Sequence, residues 1–434
     1  MERAISAYLR LLDDARLVEE SADALREGQR QRRLFFGERP LSISLRPRFL
    51  SPARWRAAIA ASESTYRALH TLEKALLRDA DLRRELDLEP EEERLALADP
   101  GCRDSSPSSR LDGFFADELR YVEYNAESPA GMAYGDELTS AFDALPLLRE
   151  FRARWRVRAL PTRKRQLTTM LRAFREWGGA EQPRVAIVDW SGLPTTTEWE
   201  MFQEFFEANG VPTFICDPGE LEYSHGKLSA RGKRITLVYR RVLTSELIIK
   251  ANETRPLRRA YLDGAVCVVN TFRAKLLHKK MSFSLLSDPK YARLYSAAER
   301  RAIARHIPWT RKLTRETQDD AMARRERLVL KPNDEYGGKG VVLGWTVDRH
   351  EWEQTLIGAL TSSFVVQEKV DVPKEPFPVL LDRVHFLDLS VDCDPYLFWG
   401  RVGGVLTRLS SSALLNVTAG AGSVVPTYVV DGAA

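Results

Sequence analysis

Along residues 1–98 Leu, Ala, Glu and Arg recur in helical rhythm, which predicts a mostly helical segment. The exception is RRLFFGERPLSISLRPRFLSP (32–52), where prolines and an alternating stretch predict extended chain. A run rich in Asp, Ser, Pro and Gly at 99–109 predicts a boundary or loop. Two alternating runs, RLDGFF (110–115) and LRYVEYNA (119–126), flank a short polar turn and predict a β-hairpin. Helix returns over 140–180. The apolar run PRVAIVDW (183–190), a helical stretch closed by Gly210, and VPTFICD (211–217) then predict a βαβ unit. ITLVYRRVL (235–243) and GAVCVVN (264–270) add two further strands. After a charged helical segment (288–325) come RLVLKP, a glycine-rich turn, GVVLGW, a helix near 348–360 and SFVVQEKV (363–370). The chain finishes in strands interrupted by Gly, Ser and Thr. The expected class is mixed α/β (α+β) with antiparallel pieces near the C-terminal end. The expected divisions are 1–98, 99–180, 181–287 and 288–434.

Composition narrows the function more than the fold. With 65 basic against 61 acidic side chains the net charge is only +4, too mild for a nucleic-acid binder. The local basic run REGQRQRR (26–33) reads more simply as a solvated helix face. No run of about eighteen apolar residues predicts a membrane span, and the charged N-terminal stretch does not resemble a signal peptide. The four cysteines are far apart and form no CxxC pair, which predicts reduced thiols and a cytoplasmic setting rather than a zinc site.

Four constellations carry chemistry. In the hairpin, Glu123 and Asn125 lie two apart on one strand and share a face, with Asp112 roughly opposite. Two carboxylates and an amide are hard oxygen donors suited to Mg²⁺, and Arg110 could hold a phosphate oxygen; the same pattern also fits a solvent-facing strand. The segment RLVLKPNDEYGGKGVVL (327–343) places Lys331, Gly337, Gly338 and Lys339 in a flap between two strands. Glycines there let backbone N–H groups approach phosphate oxygens, although an ordinary glycine hairpin reads the same. It is neither a Walker A loop nor GxGxxG. The strand end Gln367, Glu368, Lys369, Val370 could offer backbone groups to a base, or simply be an amphipathic strand end. Arg401, Arg408 and Asn416 with Gly403, Gly404, Gly420 and Gly422 could clamp phosphates, or be surface charge beside a loose tail. The histidines do not cluster, and no GxSxG elbow is present.

Taken together, VEYNAESP (122–129), KP…GGKG, QEKV, VYRRV (238–242) and the closing GGVLTRLSSS…NVTAGAGS resemble the circularly permuted ATP-grasp family, in its glutathionylspermidine synthase-like branch. The hairpin precedes the flap by some two hundred residues, which is the permuted order. The resemblance covers roughly residues 100–430. It implies an ATP-grasp fold in circularly permuted order, a Rossmann-like βαβ substrate subdomain at 181–287, and a helical N-terminal region. It implies ATP and Mg²⁺ as cofactors, with Asp112, Glu123 and Asn125 holding the metal. Arg110 and Arg408 would act on the transferring phosphate, and Asn416 would complete that end. Lys331 and Lys280 would bind phosphates, Gly337, Gly338 and Lys339 would close over them, and Gln367 to Val370 would face adenine. The implied activity is ATP-dependent joining of a small-molecule carboxylate to an amine or thiol, of peptide or polyamine-conjugate type. The alternative is a non-catalytic nucleotide-binding scaffold. The sequence departs from the family where Ser423-Val424-Val425 replaces the usual Ser-Lys-Asp, and where Leu243-Thr244-Ser245 replaces an Asp pair after YRR. Both departures fall on the substrate side.

Overall fold

The computed structural model describes residues 1–412 and 422–433. Its centre is an antiparallel sheet in which the hairpin strands Ser108–Phe115 and Leu119–Asn125 are extended by Asp394–Phe398 and Arg401–Leu406. Hairpin and C-terminal strands, far apart in sequence, therefore form one surface. The hairpin register sets Asp112 opposite Glu123 and Arg110 opposite Asn125. A bulge falls between Asp112 and Gly113, so the strict alternation read from LRYVEYNA breaks there. Tyr121 and Tyr124 both reach the core, and Val122 faces the site instead of packing with them. Only glycine fits at 113, because a Cβ would lie 2.4 Å from the Arg120 carbonyl oxygen.

The βαβ region forms a parallel sheet in the order Cys267–Val269, Leu237–Arg240, Val185–Val188, Thr213–Cys216. Three of its strands are buried along their whole length, and at the edge strand Thr213–Cys216, Phe214 and Ile215 are half-buried. A small antiparallel meander over Leu221–Ser224, Lys227–Ala230 and Lys233–Ile235, which periodicity did not reveal, sits beside it. Asn270 fastens this sheet to the hairpin: its Nδ2 donates to the carbonyls of Ser108, Ala126 and Glu127, and its Oδ1 accepts from Ser108 N–H.

The flap belongs to a third sheet, Thr310–Lys312, Phe364–Glu368, Leu328–Pro332 and Val342–Leu343, all antiparallel. Beneath it is a separate small core centred on Trp352, whose Nε1 donates to the Ala321 carbonyl at 3.1 Å. A fourth sheet, Lys374–Leu380, Val384–Val391, Arg408–Ser410 and Gly422–Val424, closes the far side. The N-terminal region buttresses these layers. The helix Pro52–Arg78 begins at Ser51, whose hydroxyl accepts the Arg54 N–H, with Pro52 at its first turn. It packs Ala58, Leu69 and Leu72 behind the hairpin, and Ser62 meets Tyr121 hydroxyl to hydroxyl at 2.7 Å.

Because the flap sheet rests on its own core, Trp352→Ala is expected to destabilise it by about 3–5 kcal/mol. Urea denaturation followed by hydrogen exchange should show the loss concentrated in 310–368, with the parallel sheet little affected.

Candidate active site

Three of the four larger sheets meet at a cavity of about 540 Å³. Hairpin residues Asp112, Gly113, Phe114, Val122 and Glu123 form one wall, and the flap sheet supplies Val329, Lys331, Glu335, Gly337, Gly338, Leu343 and Trp345. Gln367 to Val372 line one end, and Ser390, Asp392, Asp394, Arg408, Ser411 and Ser412 the other. Of the residues singled out from sequence, Asp112, Glu123, Lys280, Lys331, Gly337, Gly338, Gln367, Glu368, Lys369, Val370 and Arg408 line this one space.

Arg110, Asn125 and Lys339 stand outside that lining. Arg110 is turned inward: Nε and Nη2 donate to the two oxygens of Asp112 at 2.6 and 2.9 Å, and Nη1 to the Ala130 carbonyl at 2.8 Å. These bonds orient Asp112 and hold Arg110 away from the cavity lining. Asn125 donates to Glu123 Oε1 at 3.2 Å. Lys339 is exposed at the flap tip and pairs with Glu335. Arg401 pairs with Glu63 on the outer surface, so it does not join Arg408 in a clamp. Gly403 and Gly404 are packing positions, where a Cβ would meet Phe398 at 2.5 Å and Thr162 at 2.3 Å. Asn416 and Gly420 lie outside the described residues.

The charge at the cavity wall is concentrated and buried. Arg408 donates through Nε to Asp392 at 2.5 Å and through Nη2 to Asp112 at 2.9 Å. The same Nη2 stands 2.8 Å from Asp394 Oδ2, but not in line for a hydrogen bond, so this buried oxygen has no donor. Three carboxylates, Asp112, Asp392 and Asp394, thus face two guanidiniums. Burial pushes Asp394 well above the usual carboxylate range, with Arg408 opposing and Asp112 and Asp392 adding to the rise. Burial acts on Asp112 in the same sense, but Arg110 and Arg408 outweigh it and hold that group low. Asp392 and Asp394 escaped the sequence reading, although VDCD has the same two-residue spacing that drew attention to Glu123 and Asn125.

Lys331 is the counterweight. Its Nζ donates to Gln367 Oε1 at 2.6 Å and to the Val122 carbonyl at 3.3 Å. Burial lowers its pKa to about 8, with Glu123 resisting and Lys280 assisting. Lys280 donates to the Glu335 carbonyl at 2.5 Å and lies 3.9 Å from Glu123. The flap glycines Gly337, Gly338 and Gly340 all have positive φ, a turn that side chains with a Cβ resist. At the other end, Lys369 stacks on the Trp345 ring at 4.3 Å. The N–H groups of Glu368 and Lys369 are donated to the Trp309 and Arg327 carbonyls.

A flap of glycines and two lysines thus faces an acidic hairpin across the cavity, and the family comparison bears on that arrangement. The description "Circularly permuted ATP-grasp type 2" matches residues 116–410. This chain belongs to that family. The ATP-grasp fold in permuted order follows, with the hairpin supplied by the N-terminal half and the flap by the C-terminal half. Among solved structures, the chain is similar to a glutathione synthetase-like effector from Globodera pallida in its apo form. The TM-score is 0.57 at 15% identity, covering 95% of this chain and 97% of that one. A Methylobacillus flagellatus KT protein carrying the name gamma-glutamylcysteine synthetase aligns at TM-score 0.42 and 12% identity, over 83% and 87% of the two chains. No curated protein matches the sequence.

The family's departures have structural positions. Val424 pairs with Arg408 across the fourth sheet, and both Val424 and Val425 are buried in the main core. The expected tail lysine is thus replaced by packing. The stretch 191–200, which opens the helix Thr196–Ala208, lies outside the cavity lining. Glu198 within it is fully buried and accepts the N–H groups of Gly131 and Ala133 at the start of the helix Met132–Asp143.

Because Lys331 ionises less readily folded than unfolded, its charge opposes folding fully below pH 8. That opposition fades as pH rises from 8 toward the unfolded value near 10.5. Relative to Lys331→Met, the wild type is expected to gain about 2–3 kcal/mol of stability over this interval. Paired urea titrations at pH 7.5 and 10.5 measure the difference, and a constant gap would refute a depressed lysine.

Proposed function

We propose that the chain is an ATP- and Mg²⁺-dependent ligase that joins a carboxylate to an amine or thiol, releasing ADP and phosphate. The observation that carries this reading is the single cavity that gathers Glu123, Lys331, Lys280, the glycine flap and the strand end Gln367–Val370. The donor chemistry fits a hard divalent ion: Glu123 and Asp112 on the hairpin, Asn125 behind them, and an unpaired buried oxygen on Asp394. Among the described residues no three acidic, histidine or cysteine side chains form a closed cage. An ion here would complete its shell with water and phosphate oxygens, as Mg²⁺ commonly does. When bound, it would neutralise charge on the phosphates.

The protein's own residues would do the positioning. Lys331 and Lys280 would hold phosphate oxygens, Gly337 and Gly338 would cover them with backbone N–H groups, and Val370 onward would meet the base. Arg408 would face the transferring phosphate, with Arg110 fixing Asp112 from behind. A substrate carboxylate oxygen would attack the γ-phosphorus and ADP would leave, giving an acyl-phosphate. The amine or thiol would then attack the acyl carbon, lose its proton and expel phosphate. No nucleophilic side chain is needed, since rate would come from orientation and charge compensation. The family resemblance supports a peptide-like or polyamine-conjugate substrate and formation of a C–N bond. No helix among the described residues is long and apolar enough to cross a membrane. The four cysteines are unpaired and buried, which supports work in the reducing cytoplasm.

Calorimetric titration with MgATP tests the reading. Wild type is expected to bind. Glu123→Ala/Asn125→Ala should lose the Mg²⁺ dependence, and Lys331→Ala should weaken binding by roughly a hundredfold, as expected for a buried charge-assisted contact. ADP release that requires an added carboxylate would separate a ligase from a nucleotide-binding scaffold. Absence of any binding by wild type would sink both.

A further inference from the structure

Beside the cavity, and outside the machinery assigned above, the structure buries a second ionic network. Glu127, two residues beyond Asn125, has no solvent exposure and accepts from Arg240 Nη1 at 2.9 Å and Lys275 Nζ at 3.4 Å, and from the Thr244 hydroxyl. Lys275 also meets Glu92 at 3.3 Å and Asp334 at 2.5 Å. Lys279 meets Glu92 at 2.8 Å and Asp334 at 3.1 Å. Three cations, Arg240, Lys275 and Lys279, thus balance three carboxylates, Glu92, Glu127 and Asp334. Burial depresses the His278 pKa despite Glu127 nearby, so the imidazole adds no charge near neutrality.

Asp334 is the only one of these six groups on the flap, and the only one with appreciable exposure, at 20%. It occupies the flap's first turn, directly after Asn333, which is itself fixed by Leu86, Ser363 and the Met281 N–H. The next residue, Glu335, gives its carbonyl to Lys280. Beyond it the chain turns outward: Tyr336 is exposed and its hydroxyl donates to Glu246 at 3.4 Å, the glycines have positive φ, and Lys339 is 78% exposed and pairs with Glu335. The stem is therefore clamped by buried charge and the tip only by exposed contacts.

We infer that Asp334 is a positioning residue: through Lys275 and Lys279 it anchors the flap stem to the Glu127 network, holding the glycine tip over the cavity. Two consequences follow from the contacts. The flap stem's resting position is set jointly by its own sheet and by the segment 275–280. It is also tied, through Glu127, to Arg240 at the end of a parallel-sheet strand and to the strand that carries Glu123 and Asn125. An entropic gain accompanies the anchoring, because a pre-placed flap loses less freedom when it closes on a ligand. The nucleotide arm of this inference rests on the ATP-grasp reading; the anchoring itself does not.

Trypsin reports the anchor without any ligand, because Lys339 offers a cleavable, exposed bond at the flap tip. Asp334→Asn is expected to speed cleavage after Lys339 by roughly tenfold, the factor that loss of a charge-assisted contact implies. Since that variant leaves one buried cation in excess, Asp334→Asn/Lys279→Met restores the balance at two against two and should cleave as fast while keeping the wild-type melting temperature. Asp334→Glu should return cleavage toward wild type. In calorimetry, both Asn variants should bind MgATP more weakly, with the loss in affinity exceeding any loss of turnover at saturation. Wild-type cleavage rates in the charge-balanced variant would overturn the inference. If wild type binds no MgATP at all, the ligase reading fails, and the cleavage rates still decide whether Asp334 anchors the flap.

Discussion

A lone carboxylate at the position of Glu127 would be strongly disfavoured, since the surrounding protein admits no water to solvate it. It is kept ionised by Lys275 and Arg240, which outweigh the burial penalty and hold its pKa well below the usual range. Removing any partner would leave an uncompensated charge inside the molecule, so the arrangement is all-or-none. Its partners come from the end of the parallel sheet, from the helix beneath the flap and, through Glu92, from the N-terminal helices. The network thereby ties these three parts to the hairpin end that carries Glu127, beside the cavity.

The cavity itself shows the opposite design. There the charges are left imperfectly matched: an acidic surplus at Asp112, Asp392 and Asp394, and a lysine whose protonated form is resisted by its surroundings. Both are unfavourable for folding, and perturbed groups of this kind gather at functional sites. Charge is balanced in the frame and left unbalanced at the cavity. The Asp394 oxygen without a donor and the depressed Lys331 line the same space.

The N-terminal helices, which the family description does not cover, are part of this frame. Tyr121 of the hairpin is sealed by Ser62, and Leu111 and Tyr124 pack against the long helix Pro52–Arg78. Glu92 enters the buried network from the helix Pro90–Leu97. Their effect on the site is mechanical: they fix the back of the strand whose front carries Glu123.

Much was legible in the sequence because its signals are local. Alternation marked the hairpin, apolar runs flanked by glycine marked the parallel strands, and the GG turn after VLKP marked the flap. The residue types at 112, 123, 331 and 367 pointed to phosphate chemistry before any fold was known. What the sequence left undecided depends on residues distant along the chain. The bulge at Gly113 shifts the hairpin's facing, because backbone packing on Arg120 overrides strict alternation. Arg401 turns to Glu63, and Arg408 to Asp112, because those carboxylates stand there once the sheets assemble. Gly403 and Gly404 serve packing, since a neighbouring helix approaches too closely for a Cβ. The roles of Asp392, Asp394 and Asp334 arise only from burial and from partners brought across sheets. Local pattern determines which elements form and which chemistries are at hand; tertiary contact decides which charges face each other, and so which of them remain free to bind.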